Sequence, residues 1–276
     1  MLKNVYYACS LNRHFYIFII LANAICFPFL CFANIQIYPL RVHLTPQSLS
    51  ASLTVRNKDT IKKKFLLNSV YFEQSKDGTL TEISDELKFT NSVLKTIRYS
   101  PRSFELNADA EQVVRVMARQ DKRMEPGDYR GHLRFITEET AESNDSASKG
   151  NNLALNLKAK ISMSIPVLYR IEPIDKKIEL KNFKIDFDKK SMSIDIIRVT
   201  KNYYPYGKIV LYSMKGKVKS ELLQVNGVQC FSDSLSFKYN YENIPETIKK
   251  MTEVSVDFID TFADKEVIVA TSSFKL

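Results

Sequence analysis

From residue 152 to 170 the chain reads NLALNLKAKISMSIPVLYR, and the odd positions Leu153, Leu155, Leu157, Ala159, Ile161, Met163, Ile165 and Val167 are all apolar. Asn156, Lys158, Lys160, Ser162 and Ser164 fall between them. A period of two sends alternate side chains to opposite faces, so this run predicts a β-strand with one apolar face. Ordinary strands hold about five or six residues. A strand this long raises the question of what covers the whole of its apolar side.

The chain beyond residue 33 predicts β-structure almost throughout. NIQIYPLRVHL opens it, and SLSASLTVRN follows with Leu49, Ala51, Leu53 and Val55 in alternation. KFLLNSVYFEQ runs into the turn SKDGT, EQVVRVMAR alternates again, and PGDYRGHLRFIT starts another strand after a Pro-Gly turn. No stretch sustains the helical spacing of apolar residues for three turns; short helical turns are open near NADAEQ and IPETIKKMTE. Strands at short spacing, divided by Asn, Asp, Gly and Pro, predict a β-sandwich. Residues 138–152, EETAESNDSASKGNN, are polar and predict a mobile loop feeding the long strand.

After YRIEP at 169–173 the pattern restarts with SMSIDIIRVTKN, YGKIVLYSMKG, SLSFKYNYE, EVSVDFID and KEVIVATSSFKL. This predicts a second sandwich of about 100 residues, the size of an immunoglobulin-like module. The expected fold is all-β, with two immunoglobulin-like sandwiches in tandem over residues 34–170 and 171–276. Pro173 would stiffen the crossing.

The first 33 residues stand apart. Lys3 and Arg13 are their only charges, and they precede the apolar run FYIFIILANAICFPFLCFA. Small residues at Cys31 and Ala33 place an expected cleavage site before Asn34, which together describe a secretory signal peptide. A retained membrane anchor is the alternative, because the run is nearly long enough to span a bilayer. Cleavage would remove Cys9, Cys26 and Cys31, leaving Cys230 with no partner for an internal disulfide. It would also lower the formal net charge from the +9 of all 276 residues to +7. The lysines are scattered, with 62–64 the densest block, so the charge reads as solvated surface and nucleic acid is not an expected partner.

Catalysis finds little footing. His43 and His132 lie on expected strands without metal-ligand spacing, and no Gly-x-Ser-x-Gly elbow or phosphate loop occurs. Cys230 reads as a buried small hydrophobe. Tyr203, Tyr204 and Tyr206 in NYYPYG could stack on a ligand, but a turn packed by its own aromatics is the simpler reading. No catalytic residue, metal or cofactor is expected.

The order of several segments resembles the periplasmic pilus-assembly chaperones, the PapD-like family, in a branch other than that of the P pilus. YPLRVHL is similar to the family's first strand, LTVRN to the end of its second, and YSPRSFELNADAEQVVRV to its Ser-Pro-Pro and Gln-x-x-Arg-Val segment. EPGDYRGHLRF is similar to its Pro-Gly-Glu-Tyr-Arg turn, SIPVLYR to the end of its seventh strand, and VTKNYYPYGKIVLY with NGVQCF to parts of its second domain. The resemblance implies a chaperone that lends a strand to pilin or fimbrial subunits and delivers them to an outer-membrane usher. It implies the periplasm as location, with membrane contact only through an uncleaved signal peptide.

Strand lending would answer the question of length. A subunit that lacks its last strand exposes an apolar groove and an open edge, and a donated strand closes both. By position relative to Arg170, Leu157, Ala159 and Ile161 resemble the family's donated side chains, with Leu153 and Leu155 extending the row. Arg41 matches the arginine that grips a subunit's terminal carboxylate, for which a guanidinium fork is well shaped. The lysine that usually assists it falls at Pro166, a departure from the family pattern, which leaves Arg98, Arg102 and Arg170 as candidate partners. Arg115 and Asp128 match a structural ion pair. The competing reading is a secreted, basic, two-sandwich adhesin whose long strand is only core. A further alternative is a chaperone-like protein with a client other than a pilin.

Overall fold

The computed structural model describes residues 35–84, 89–119, 123–139, 160–215, 218–242, 248–249, 251–262 and 265–276. Its described residues form an all-β structure of two sandwiches in tandem.

The first sandwich packs two sheets around one core. One sheet has the order β1 (Ile35–Tyr38), β3 (Ser50–Asn57), β8 (Glu111–Ala118), β6 (Ile97–Ser100). The other runs β2 (Val42–Leu44), β10 (Ile161–Ile171), β9 (Gly127–Glu139), β4 (Lys63–Gln74), β5 (Leu80–Ile83), with β7 (Ser103–Leu106) also paired to β4. Alternation supplies the core: Leu53 and Val55, Val114 and Val116, Leu133 and Phe135, Val167 and Tyr169 all point inward and are buried.

The opening segment, expected as one strand, is two. β1 pairs antiparallel with β3, whereas β2 pairs parallel with β10 in the facing sheet. Pro39 lies at the break and has no N–H to give a ladder, so pairing with β3 stops and the chain crosses to the other sheet. Of the lysine block at 62–64, expected as solvated surface, Lys63 is instead buried and pairs with Asp59 at 2.7 Å. The inward side of β4's alternation carries it there beside Phe65 and Leu67.

The second sandwich faces β11 (Ile178–Asp186), β12 (Ser191–Arg198) and β15 (Ser234–Asn240) against a sheet of order β14 (Val218–Gln229), β13 (Tyr206–Lys215), β16 (Glu253–Asp260), β17 (Val267–Lys275). Its core includes Ile194, Ile196, Ile209, Leu211, Val256 and Phe258, and Cys230 is buried within it, as its small apolar character suggests. Burial pushes the Cys230 thiol up to about 11, far from a nucleophile's range. Gly207 is required by β13's closeness to β16: a Cβ there would lie 1.8 Å from the carbonyl oxygen of Ile259.

The first core ends in chain order at Tyr169, with Ile171 packed on it, and the second begins with Ile174 and Ile178. Between the two sandwiches Leu168, Tyr204, Phe231 and Phe262 form a separate apolar cluster. Hydrogen bonds tie the same junction. Asn202 donates through Nδ2 to the Pro126 carbonyl at 2.8 Å while its own carbonyl accepts from the Asp128 N–H at 2.8 Å. The amide oxygen of Gln74 accepts from the N–H of Phe231 at 2.7 Å.

Candidate functional site

The long alternating run appears as β10 from Ile161 onward. Glu138 and Glu139, expected to open the loop, instead end β9 in register with Lys64 and Lys63, while the rest of that loop and Leu153, Leu155, Leu157 and Ala159 lie outside the described residues. β10 pairs with β9 along its full length, from Ile161 opposite Thr137 to Ile171 opposite Gly127. Its other edge is covered far less. β2 pairs only with Val167, Leu168 and Tyr169, so among the described residues Ile161 to Pro166 have no strand on that side.

Burial along β10 follows the same boundary. Ile165, Val167 and Tyr169 belong to the core and Met163 packs partly against it, yet Ile161, on the same face, is 42% exposed. The apolar row therefore continues past the end of the core that its own sandwich provides. An open edge beside an uncovered apolar residue is the geometry that accepts another strand.

Arg41 stands where β2 begins. Because Val42 pairs with Val167 in parallel register, Arg41 falls beside Pro166, at the end of the open edge. Here the chain bends between sheets and opens a cleft of about 570 Å³ lined by Tyr38, Pro39, Leu40, Arg41, His43, Tyr206, Thr261 and Glu266. The guanidinium lies 4.0 Å above the ring centre of Tyr206. Its NH1 donates to Oε1 of Gln229 at 3.1 Å, and its NH2 to the Gly227 carbonyl at 3.4 Å. Burial lowers the pKa of Arg41 and the neighbouring Tyr206 opposes this, but an arginine keeps its charge at neutral pH. Glu266, the acid of the cleft, is paired with Lys208 at 2.8 Å. Tyr38 and Leu40 leave the lips of the cleft apolar and open to water.

The candidate partners of Arg41 are elsewhere. Arg98 donates to the carbonyls of Ile97 and Lys95, and Arg102 lies over the Tyr99 ring; neither lines the cleft. Arg170 is 2% exposed and fully engaged in an ion-pair group. Its Nε and NH2 donate to the two oxygens of Asp128 at 2.6 and 2.9 Å, and its NH1 donates to Asp260 at 3.0 Å. Asp128 also accepts from the Tyr204 N–H, and Asp260 from the Tyr203 hydroxyl and the Phe262 N–H.

The expected pair of Arg115 with Asp128 is therefore corrected: Asp128 is bound by Arg170, its direct neighbour across the β9–β10 ladder. Arg115 cannot take that role, because β8 turns Val114 and Val116 inward and leaves Arg115 exposed on the opposite face. Burial raises the pKa of Asp128, against the bonds and charge of Arg170. On the arginine the bonds and charge of Asp128, with Asp260, outweigh burial and raise its pKa, and each carboxylate accepts three bonds. The group is a buried, fully hydrogen-bonded clasp joining the first sandwich to the second.

Three residues of this region were given no part in the anchor or the ion-pair group by the sequence. Tyr206 read as part of an aromatic turn; Tyr203 and Tyr204 of that turn are indeed buried, while the Tyr206 ring supports Arg41. Gln229 lies in the NGVQCF segment, and Asp260 closes an alternating strand. Only the packing of the first sandwich on the second connects them to Arg41 and Arg170.

No protein-family model matches the chain, and no curated protein does. Among solved structures, the Escherichia coli chaperone DraB is 14% identical, with 88% of this chain and 95% of that chain covered at a TM-score of 0.44. A chain of the Salmonella enterica SafA pilin–SafB chaperone complex is 12% identical, with coverages of 89% and 97% and a TM-score of 0.47. A chain of the CsuC–CsuE chaperone–tip adhesion subunit complex from Acinetobacter baumannii is 11% identical, with coverages of 86% and 97% and a TM-score of 0.44.

Proposed function

We propose that this chain is a periplasmic chaperone of the pilus-assembly kind, which folds and caps pilin or fimbrial subunits by lending them a strand. One observation carries the reading: the apolar row of β10 outruns its own core at Ile161, on an edge that β2 leaves open up to Pro166. Leu153, Leu155, Leu157 and Ala159 extend that row in sequence toward the subunit groove. Burying a large aliphatic side chain stabilises by roughly 1.5–3 kcal/mol, so such a row supplies several kcal/mol before the costs of association.

In this reading Arg41 receives the subunit's terminal carboxylate. An added strand that runs parallel to β10, as β2 does, brings its C-terminus to the start of β2, where Arg41 stands. The chaperone needs no catalytic residue or cofactor for this. Export through a cleaved signal peptide ending near Ala33 and delivery of the capped subunit to an outer-membrane usher complete the proposal.

The test is co-expression with candidate secreted subunits and purification of the tagged chain from periplasmic extract. The parent protein retains a one-to-one complex with a subunit that aggregates alone, and Leu157→Asp with Ile161→Asp loses it while keeping a native circular dichroism spectrum. Retention of the subunit by the folded double variant would overturn strand lending. Unfolding of the double variant would instead place these residues in the protein's own core.

A further inference from the structure

Arginine is a long side chain with much rotamer freedom to lose, so an anchor built on one gains from being held before its ligand arrives. Arg41 belongs to the first sandwich, but its guanidinium is held by the second. Tyr206 lies beneath it at 4.0 Å, and Gln229 accepts from NH1 at 3.1 Å. These two residues are direct partners in the β13–β14 ladder, so one rung of a rigid sheet presents both the ring and the amide. The Gly227 carbonyl takes a further bond on the same side.

We infer that Tyr206 and Gln229 are positioning residues of the carboxylate anchor: from the second sandwich they fix the Arg41 guanidinium at the end of the open β10 edge. The inference rests on the strand-lending reading given above. A guanidinium has five N–H groups. Gln229 and Gly227 use two of them, which leaves a fork for a carboxylate. Glu266 in the same cleft does not cancel the charge of Arg41, because Lys208 neutralises it. The second sandwich thus does more than complete the molecule; it sets how strongly the first recognises a chain end.

The probe is a short synthetic peptide alternating valine with threonine, made once with a free terminal carboxylate and once as the amide, and titrated calorimetrically into the purified full chain. The parent protein prefers the free acid by about tenfold, the size of one charge-assisted hydrogen bond. Gln229→Leu and Tyr206→Leu bring that preference close to equality and leave the affinity for the amide unchanged, whereas Tyr206→Phe, which keeps the ring, restores it. A merely structural role would weaken both peptides together or neither.

Full preference for the acid in folded Gln229→Leu and Tyr206→Leu proteins overturns the positioning role and leaves strand lending intact. Equal binding of both peptides by the parent protein also overturns it, because Arg41 then anchors no carboxylate. Failure of the parent protein to bind either peptide removes strand lending itself, and this inference with it.

Discussion

Arg170 and Asp128 stand opposite each other in the β9–β10 ladder, and the guanidinium grips both carboxylate oxygens, at 2.6 and 2.9 Å, almost wholly out of water. The same arginine reaches Asp260 at the end of β16, so one side chain spans the two sandwiches.

Breaking this group from one side strands a buried charge. Asp128→Asn is expected to cost about 3–5 kcal/mol, read as a lower midpoint in urea denaturation. Arg170→Met together with Asp128→Leu is expected to cost less than the sum of the single changes, because neither partner is then left charged and alone. Additive costs would show that the two side chains do not act as a pair.

His132 gives the junction a pH dependence of definite sign. It is buried between Phe72 and Phe231, and burial, then Arg130 and Arg134, push its pKa down to about 4. The unfolded chain, with an ordinary pKa near 6.5, binds the extra proton first. Stability from this group is therefore complete above about pH 6.5 and is lost as pH falls toward 4, by on the order of 3 kcal/mol. Urea midpoints across this range should fall more steeply for the parent protein than for His132→Phe. Parallel curves would exclude the histidine as the cause.

Burial along β10 predicts a sharp divide within one apolar row. Ile161→Asp should change the melting temperature little, since substitutions at exposed sites cost within about 0.5 kcal/mol. Val167→Asp, two turns of the alternation past Met163, should unfold the first sandwich, because it puts a charge among core residues without a partner. Equal damage from both would mean that Ile161 is held in the protein's own core.

Gly207 is a position where a single methyl group decides whether two strands can pair. A Cβ would strike the Ile259 carbonyl oxygen at 1.8 Å, so Gly207→Ala must part β13 from β16 at the rung beside Tyr206. The expected loss is about 3 kcal/mol or more, measurable by denaturant titration. A variant as stable as the parent would show that the strands yield without cost.

Much of this architecture was legible in one dimension. Alternation marked the strands around Leu53, Val114, Leu133 and Val167 because a period of two is a local property of the backbone. The same pattern marked the row to which Ile161 belongs. It could not mark where that row leaves the core, since burial depends on how far the facing sheet extends. The Arg115 expectation failed for a related reason: charge and order along the chain suit Asp128, but the face of β8 on which Arg115 falls points away from it.

By itself the sequence determined an all-β chain, the strands whose alternation is regular and the surplus of alternating apolar residues before β10, because side-chain chemistry and backbone periodicity act within a few residues of each other; β11 and β14, which alternate poorly, it did not mark. Tertiary structure decided the rest. It split the first strand at Pro39, exposed the edge from Ile161 to Pro166, gave Asp128 to Arg170 and laid Arg41 on Tyr206. Each of these depends on which strands become neighbours, and residues more than 160 positions apart, such as Arg41 and Tyr206, meet only when two sandwiches pack.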